Sequence, residues 1–101
     1  MVHLWTWGGT YFGYRDGEDL WTYDGHHVGR FDADEVYGPD GRYMGERRNE
    51  NRLITAASKL GRRGRSFSPL AQRVGQVPYV GYVGYVMYAG FQDFPAPNEL
   101  A

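Results

Sequence analysis

The chain predicts an all-β fold, a β-meander of short hairpins with a 16-residue repeat and a petal-like arrangement, closed by a Tyr/Gly-rich C-terminal segment. Three observations predict it. First, aligning Trp5, Trp21, Tyr37 and Leu53 also aligns Gly9, Gly25 and Gly41, and then Gly13, Gly29 and Gly45. Periodicity of this kind marks one supersecondary unit copied in tandem, and a unit this short cannot bury a core alone. Second, turn pairs recur every eight residues: Gly8-Gly9, Asp16-Gly17, Asp24-Gly25, Asp32-Ala33, Asp40-Gly41 and Arg48-Asn49. Third, aromatics make up 17% of the 101 residues and glycines number 15, a composition of strands and turns rather than helices.

The elements follow in order. About six residues lie between turns, the usual strand length, and Asp-Gly or Gly-Gly suits a two-residue type I′ hairpin turn. Strand alternation puts Trp5 and Trp7 on one face and Leu4 and Thr6 on the other, with Trp21, Tyr23, Leu20 and Thr22 repeating the pattern. Residues 1–55 thus read as three hairpins plus a last strand. Gly13, Gly29 and Gly45 fall inside the second strand of each hairpin, where glycine marks a bulge, a bend or a close approach. Recurring three times, it bends every hairpin at the same point around a common centre.

Residues 56–76 read as a basic, glycine-containing connector of little periodicity, and residues 77–101 as a separate segment of period three. Within the latter, Tyr79, Tyr82, Tyr85, Tyr88 and Phe91 recur at every third position, with Gly81, Gly84 and Gly90 in another register. Neither strand nor α-helix has that period, whereas a three-fold polyproline-II screw does. The whole is one domain. The net charge of −1 conceals an asymmetry: residues 1–46 carry nine acids and three arginines, while residues 47–78 carry eight basic residues against Glu50 alone. Such an arm either binds nucleic acid or docks on the acidic repeats of its own or a neighbouring subunit. The near-equal opposite charges favour docking.

Two stretches carry a family resemblance. The run LWTYDGHHVGRFDADEVYGPDGRYMGE over residues 20–46, followed by the period-three tail, resembles the small bacterial four-fold β-flower proteins. Residues 4–55 match that family's repeats, and residues 77–94 match in pattern only. The resemblance implies a petal-like arrangement of β-hairpins about a four-fold axis and no established enzymatic activity. It brings no catalytic residues with it. Tyr37–Arg42 also approaches the YD repeats of large bacterial toxins, and the aromatic hairpins approach choline-binding repeats. The strict 16-residue spacing in a short chain separates it from both.

The chemistry-bearing residues point away from catalysis. There is no cysteine, hence no disulfide and no thiolate metal site. His26 and His27 are adjacent in a strand and so point to opposite faces, and no third ligand has a recognisable spacing, so no metal and no cofactor is expected. The acids cluster at turns, where aspartate satisfies local backbone donors. Ser66 and Ser68 lie in a basic loop without a nucleophile elbow.

The expected protein is therefore non-enzymatic, cytoplasmic and homo-oligomeric, most simply a tetramer, because three hairpins and a spare strand leave edges to cover. Trp5, Trp7, Trp21, Tyr23 and Tyr37 are the expected ligand-binding residues, lining an axial pocket for a small apolar or aromatic molecule. Tyr79, Tyr82, Tyr85, Tyr88 and Phe91 are the expected oligomer interface. The chain's partners are then itself and such a ligand, with no membrane. One rival reading is a nucleic-acid-binding module working through residues 47–73. The other is a small enzyme or immunity-like partner using petal-tip polar residues such as His26 and His27.

Overall fold

The computed structural model describes residues 1–100. Eight strands follow one another as a meander: β1 (Val2–Thr6), β2 (Tyr11–Asp16), β3 (Asp19–Thr22), β4 (His27–Asp32), β5 (Glu35–Tyr37), β6 (Tyr43–Arg48), β7 (Arg52–Ala56) and β8 (Phe91–Asp93). Single 3-10 turns sit at Ala57–Lys59 and Pro97–Glu99. The all-β, hairpin-repeat architecture is the one the sequence predicts.

Closure happens within one chain. The first half of β7 runs parallel to β1, pairing Arg52 with Trp5 and Leu53 with Thr6. Its second half pairs antiparallel with β8, setting Ile54 against Asp93 and Ala56 against Phe91. Seven strands thereby close into a barrel-like sheet, and β7 with β8 forms a fourth petal whose two strands are far apart in sequence. Leu53 and Arg52 correct the repeat alignment by one residue. Leu53, not Arg52, joins Leu4, Leu20 and Val36 in the inner cluster, and Arg52 takes the outward position beside Trp5.

The strand-interior glycines sit at bulges, one in each of the first three petals. Register slips between Leu4 and Trp5, between Leu20 and Trp21, and between Val36 and Tyr37. At each slip the extra residue of the partner strand (Phe12, Val28 or Met44) lies in or against the inner cluster, and the glycine beside it has no room for a side chain. A Cβ at Gly45, for example, would lie 2.6 Å from both the Ile54 carbonyl oxygen and the Phe94 ring.

The turns come in two kinds, and both differ from the expected pairs: the two-residue loops lie one residue later than Asp16-Gly17 and Asp32-Ala33, and at that same end residues 49–51 form a three-residue loop in place of the pair Arg48-Asn49. Asp16 pairs with Asp19 and Asp32 with Glu35, so Gly17-Glu18 and Ala33-Asp34 are two-residue loops with a positive φ at the first position. At the other end of the barrel the loops have three residues. Thr6 receives a hydrogen bond from Gly9 N–H and its own N–H donates to Thr10, and the same pair of bonds recurs at Thr22 and at Gly38. Gly9, Gly25 and Gly41 hold φ of 99°, 92° and 84° there, the left-handed residue that completes a three-residue hairpin.

The barrel interior is filled by Leu4, Phe12, Leu20, Val28, Phe31, Val36 and Leu53, with Phe94 and Leu100 entering from the C-terminal segment. Phe94 meets Phe12 edge to face at 5.3 Å between ring centres.

Candidate functional site

After β7 the chain becomes an extended belt that encircles the outside of the barrel and visits the three-residue turns in reverse order. Two belt N–H groups donate to each turn. Gly64 and Phe67 donate to the carbonyls of Gly41 and Pro39, Arg73 and Gln76 to those of Gly25 and Tyr23, and Tyr82 and Tyr85 to those of Gly9 and Trp7. The donors are three residues apart within a turn and nine residues apart between turns. The connector over 56–76, read from sequence as aperiodic, therefore shares a nine-residue register with the tail. A methyl group at Gly9 or Gly25 would overlap the carbonyl oxygen of Tyr82 or Arg73, so these glycines admit the belt as well as the turn.

The belt covers the outward aromatics. Tyr82 stacks on Trp5 at 4.3 Å, the Arg73 guanidinium lies 3.9 Å over Trp21, and a Cβ at Gly64 would touch the Tyr37 ring at 3.0 Å. The indole N–H of Trp5 donates to Val80 O and that of Trp7 to Val86 O, while the buried Trp21 indole N–H has no hydrogen-bond partner among the described residues. Arg52 seals the seam: it donates to the carbonyls of Trp7 and Val83 and lies 4.1 Å over Tyr85. His27 Nδ1 accepts from Leu70 N–H, which leaves Nε2 to donate to Asp19 at 3.0 Å.

Five aromatics expected around an axial pocket are accordingly placed elsewhere. Trp5, Trp7 and Trp21 lie buried under the belt on the outer surface, Tyr37 lies under Gly64, and Tyr23 is half-buried beside Tyr11. Strand alternation explains it, since the aliphatics one position away occupy the axis. The tyrosines expected at an oligomer interface also make contacts within the chain: Tyr79 on Tyr11, Tyr82 on Trp5, and Tyr85 and Tyr88 on Trp7, while Phe91 lies in β8.

The basic connector docks on its own acidic repeats. Lys59 Nζ lies 2.9 Å from both Glu35 and Glu46, Arg62 reaches Glu35 at 2.9 Å, and Arg73 reaches Asp16 at 3.0 Å. The Lys59 hydrogen bond holds the Glu35 carboxyl below its ordinary range, and the same bond raises Lys59. Tyr43, which donates to Glu46 and accepts from Ala56 N–H, is pushed up to about 12, chiefly by burial.

A cleft of about 810 Å³ opens between the second and third petals, the belt and the C-terminal segment. Its apolar wall is Val28, Met44, Leu60, Leu70, Pro95 and Leu100, and His26, Asp40, Arg42 and Gln72 stand among its polar groups. None of the five aromatics lines it. Sequence held one signal for this cleft: the inward bulge residue is Phe12 in petal one but the smaller Val28 and the flexible Met44 in petals two and three. Leu60, Leu70 and Leu100 lie outside the repeat and carried none. Among the described residues no group of three His, Asp or Glu side chains could hold a metal ion, and no helix is long and apolar enough to cross a membrane. No family model, curated protein or solved structure matches this chain.

Proposed function

We propose that the protein is a non-enzymatic, homo-oligomeric β-repeat binding protein that takes a small apolar or aromatic ligand in the cleft between petals two and three. The observation that carries this reading is the cleft: about 810 Å³ falls in the size range of small-molecule sites, and a mostly apolar wall with a few polar groups is their usual lining. Its walls come from a closed barrel and from a belt tied down by six backbone hydrogen bonds, so the site is formed before the ligand arrives. The ion pairs of Glu35, Glu46 and Asp16, and that of Asp19 with Arg30, argue against free carboxylates poised for acid–base work. Likewise, the engagement of Lys59, Arg62, Arg52 and Arg73 inside the molecule weighs against a nucleic-acid arm. The petal architecture and the β-flower resemblance are consistent with a binding or scaffold role.

Titration with the aromatic probe 1-anilinonaphthalene-8-sulfonate tests the proposal. Saturable binding to the folded protein is expected, weakened at least tenfold by Leu70→Asp. Leu70 is 48% exposed, so the charge costs the fold little. Absence of saturable binding, or binding indifferent to Leu70→Asp, overturns the reading.

A further inference from the structure

The belt has three faces between Val77 and Met87, and two of them are used. The tyrosine face packs on Trp5, Trp7 and Tyr11. The glycine face meets the first turn, where a Cβ at Gly81 or Gly84 would lie 2.8 Å from the carbonyl oxygen of Gly9 or Gly8. The third face is valine. Val74, Val77, Val80, Val83 and Val86 recur at every third position and are 85–91% exposed. Their carbonyls are turned inward at three of these positions, Val80, Val83 and Val86, which accept from Trp5, Arg52 and Trp7. From Val74 to Phe91 the sequence VGQVPYVGYVGYVMYAGF contains no charged residue. A contiguous exposed apolar ridge on a soluble surface marks an interaction site.

We infer that a second copy of this chain covers the valine ridge, the two ridges meeting antiparallel about a two-fold axis. This rests on the homo-oligomeric part of the reading above and says where the copies meet. Three features select a copy of the same chain. A two-fold interface must be complementary to itself, and an uncharged ridge with a constant three-residue step can interleave its valines with those of its twin without like-charge repulsion. The area suits a modest interface: the ridge follows the barrel through more than a quarter-turn, so about three valines at roughly 60–120 Å² each and the outer halves of two tyrosines meet the twin at once, about 330–610 Å² per copy, at the low end of specific interfaces. Charge also sets the direction. The chain approaches the ridge from the exposed Arg63 and Arg65 and leaves it for the exposed Asp93 and Glu99, so an antiparallel pair sets opposite charges toward each other, whereas a parallel pair would oppose like charges.

Closure of the barrel within one chain leaves the three-residue β8 as the open edge among the described strands, too short to be the main reason to assemble. The ridge supplies a different reason, hydrophobic and located on the valines instead of the tyrosines.

Sedimentation equilibrium on the full chain is the test, with Val83→Lys and Val80→Lys as variants. Both valines are 87–88% exposed, so the variants fold, as near-ultraviolet circular dichroism would verify. The wild type is expected at twice the 11.5 kDa chain mass, or at a higher even multiple, and each variant to associate at least tenfold more weakly. A wild-type oligomer untouched by both variants overturns the ridge while leaving the homo-oligomer reading in place. A wild-type monomer at roughly 100 µM overturns both. A monomer that floats with phosphatidylcholine–phosphatidylglycerol vesicles, and ceases to do so as Val83→Lys, would assign the ridge to a lipid surface and overturn the inference.

Discussion

Replacing Gly25 by alanine separates the two tasks this residue performs. Its φ is 92°, and its space is shared with the Arg73 carbonyl. Gly61 is the matched control, with φ of 96° and nothing within 4 Å of where a Cβ would stand. Backbone strain is therefore common to both substitutions, at about 1–2 kcal/mol for a left-handed L-residue. Gly25→Ala must also push the belt away. That breaks the 2.8 Å bond from Arg73 N–H to Gly25 O, worth about 1 kcal/mol, and lifts the guanidinium from the Trp21 ring, worth about 1 kcal/mol more. The expected loss is about 3–4 kcal/mol for Gly25→Ala against about 1–2 kcal/mol for Gly61→Ala. For a domain of this length the corresponding falls in Tm are roughly 15 °C and roughly 5 °C. Thermal unfolding followed by near-ultraviolet circular dichroism measures both. Trypsin adds a local readout, because a displaced belt exposes the chain around Arg73. Equal Tm values for the two variants would refute the claim that the belt occupies the space glycine leaves.

Two further predictions concern single positions. Ala33 opens a two-residue loop at φ of 55°, where the preceding petal has Gly17 at 61°, so Ala33→Gly is expected to stabilise the protein by about 0.5–1 kcal/mol, read as a rise in the urea midpoint at constant slope. A fall in that midpoint would contradict the loop geometry. The second prediction concerns pH. The folded-state pKa of Glu35 lies below the ordinary value of 4.5, so its contribution is present above 4.5 and is lost as pH falls through the folded value. Lys59 is raised above 10.5, so its share is full below 10.5 and is lost as pH rises through the folded value. The stability difference between wild type and Glu35→Gln should be flat from about pH 6 to 9 and shrink below about pH 4. A difference that grows on acidification would remove the Glu35–Lys59 pair as its source.

The repeat made the barrel legible because its requirements fall on side chains. A bulge with no room for a Cβ demands glycine at 13, 29 and 45, and an inward strand position demands Leu4, Leu20 and Val36. The nine-residue register of the belt was hard to read because the contacts that set it fall on the backbone. Gly64, Arg73 and Tyr82 do the same thing, donating an N–H to a turn glycine, and any residue except proline can do it. Their own side chains differ, and the shared register shows in the sequence only between 74–81 and 83–90 (VGQVPYVG against VGYVMYAG) and fades over 64–72. The fourth petal was hidden for another reason: its second strand, Phe91–Asp93, lies beyond the whole belt, and strand pairing across such a separation has no local signature. The cleft combines both difficulties, with one wall from the repeat and the other from isolated leucines.

The nine-residue register of the belt follows from the size of the barrel. The molecule measures 36 Å by 32 Å along its two longer axes, so a quarter-turn around it is roughly 27 Å, and nine residues of a three-fold extended chain rising about 3.1 Å each span roughly 28 Å. One belt unit therefore carries the chain from one petal to the next, with a whole number of three-residue steps. Because the step count is whole, the same face of the belt returns to the barrel at every petal, and the opposite face returns to solvent. That is why the tyrosines from 79 to 88 all find aromatic or turn partners while the valines from 74 to 86 all find none. A belt of eight or ten residues per petal would rotate its apolar residues alternately in and out. The exposure of the valine face is thus a geometric consequence of how the barrel is sealed, and a sequence that fills such a face with five valines instead of lysines or serines has retained an apolar surface that closure of the barrel does not require.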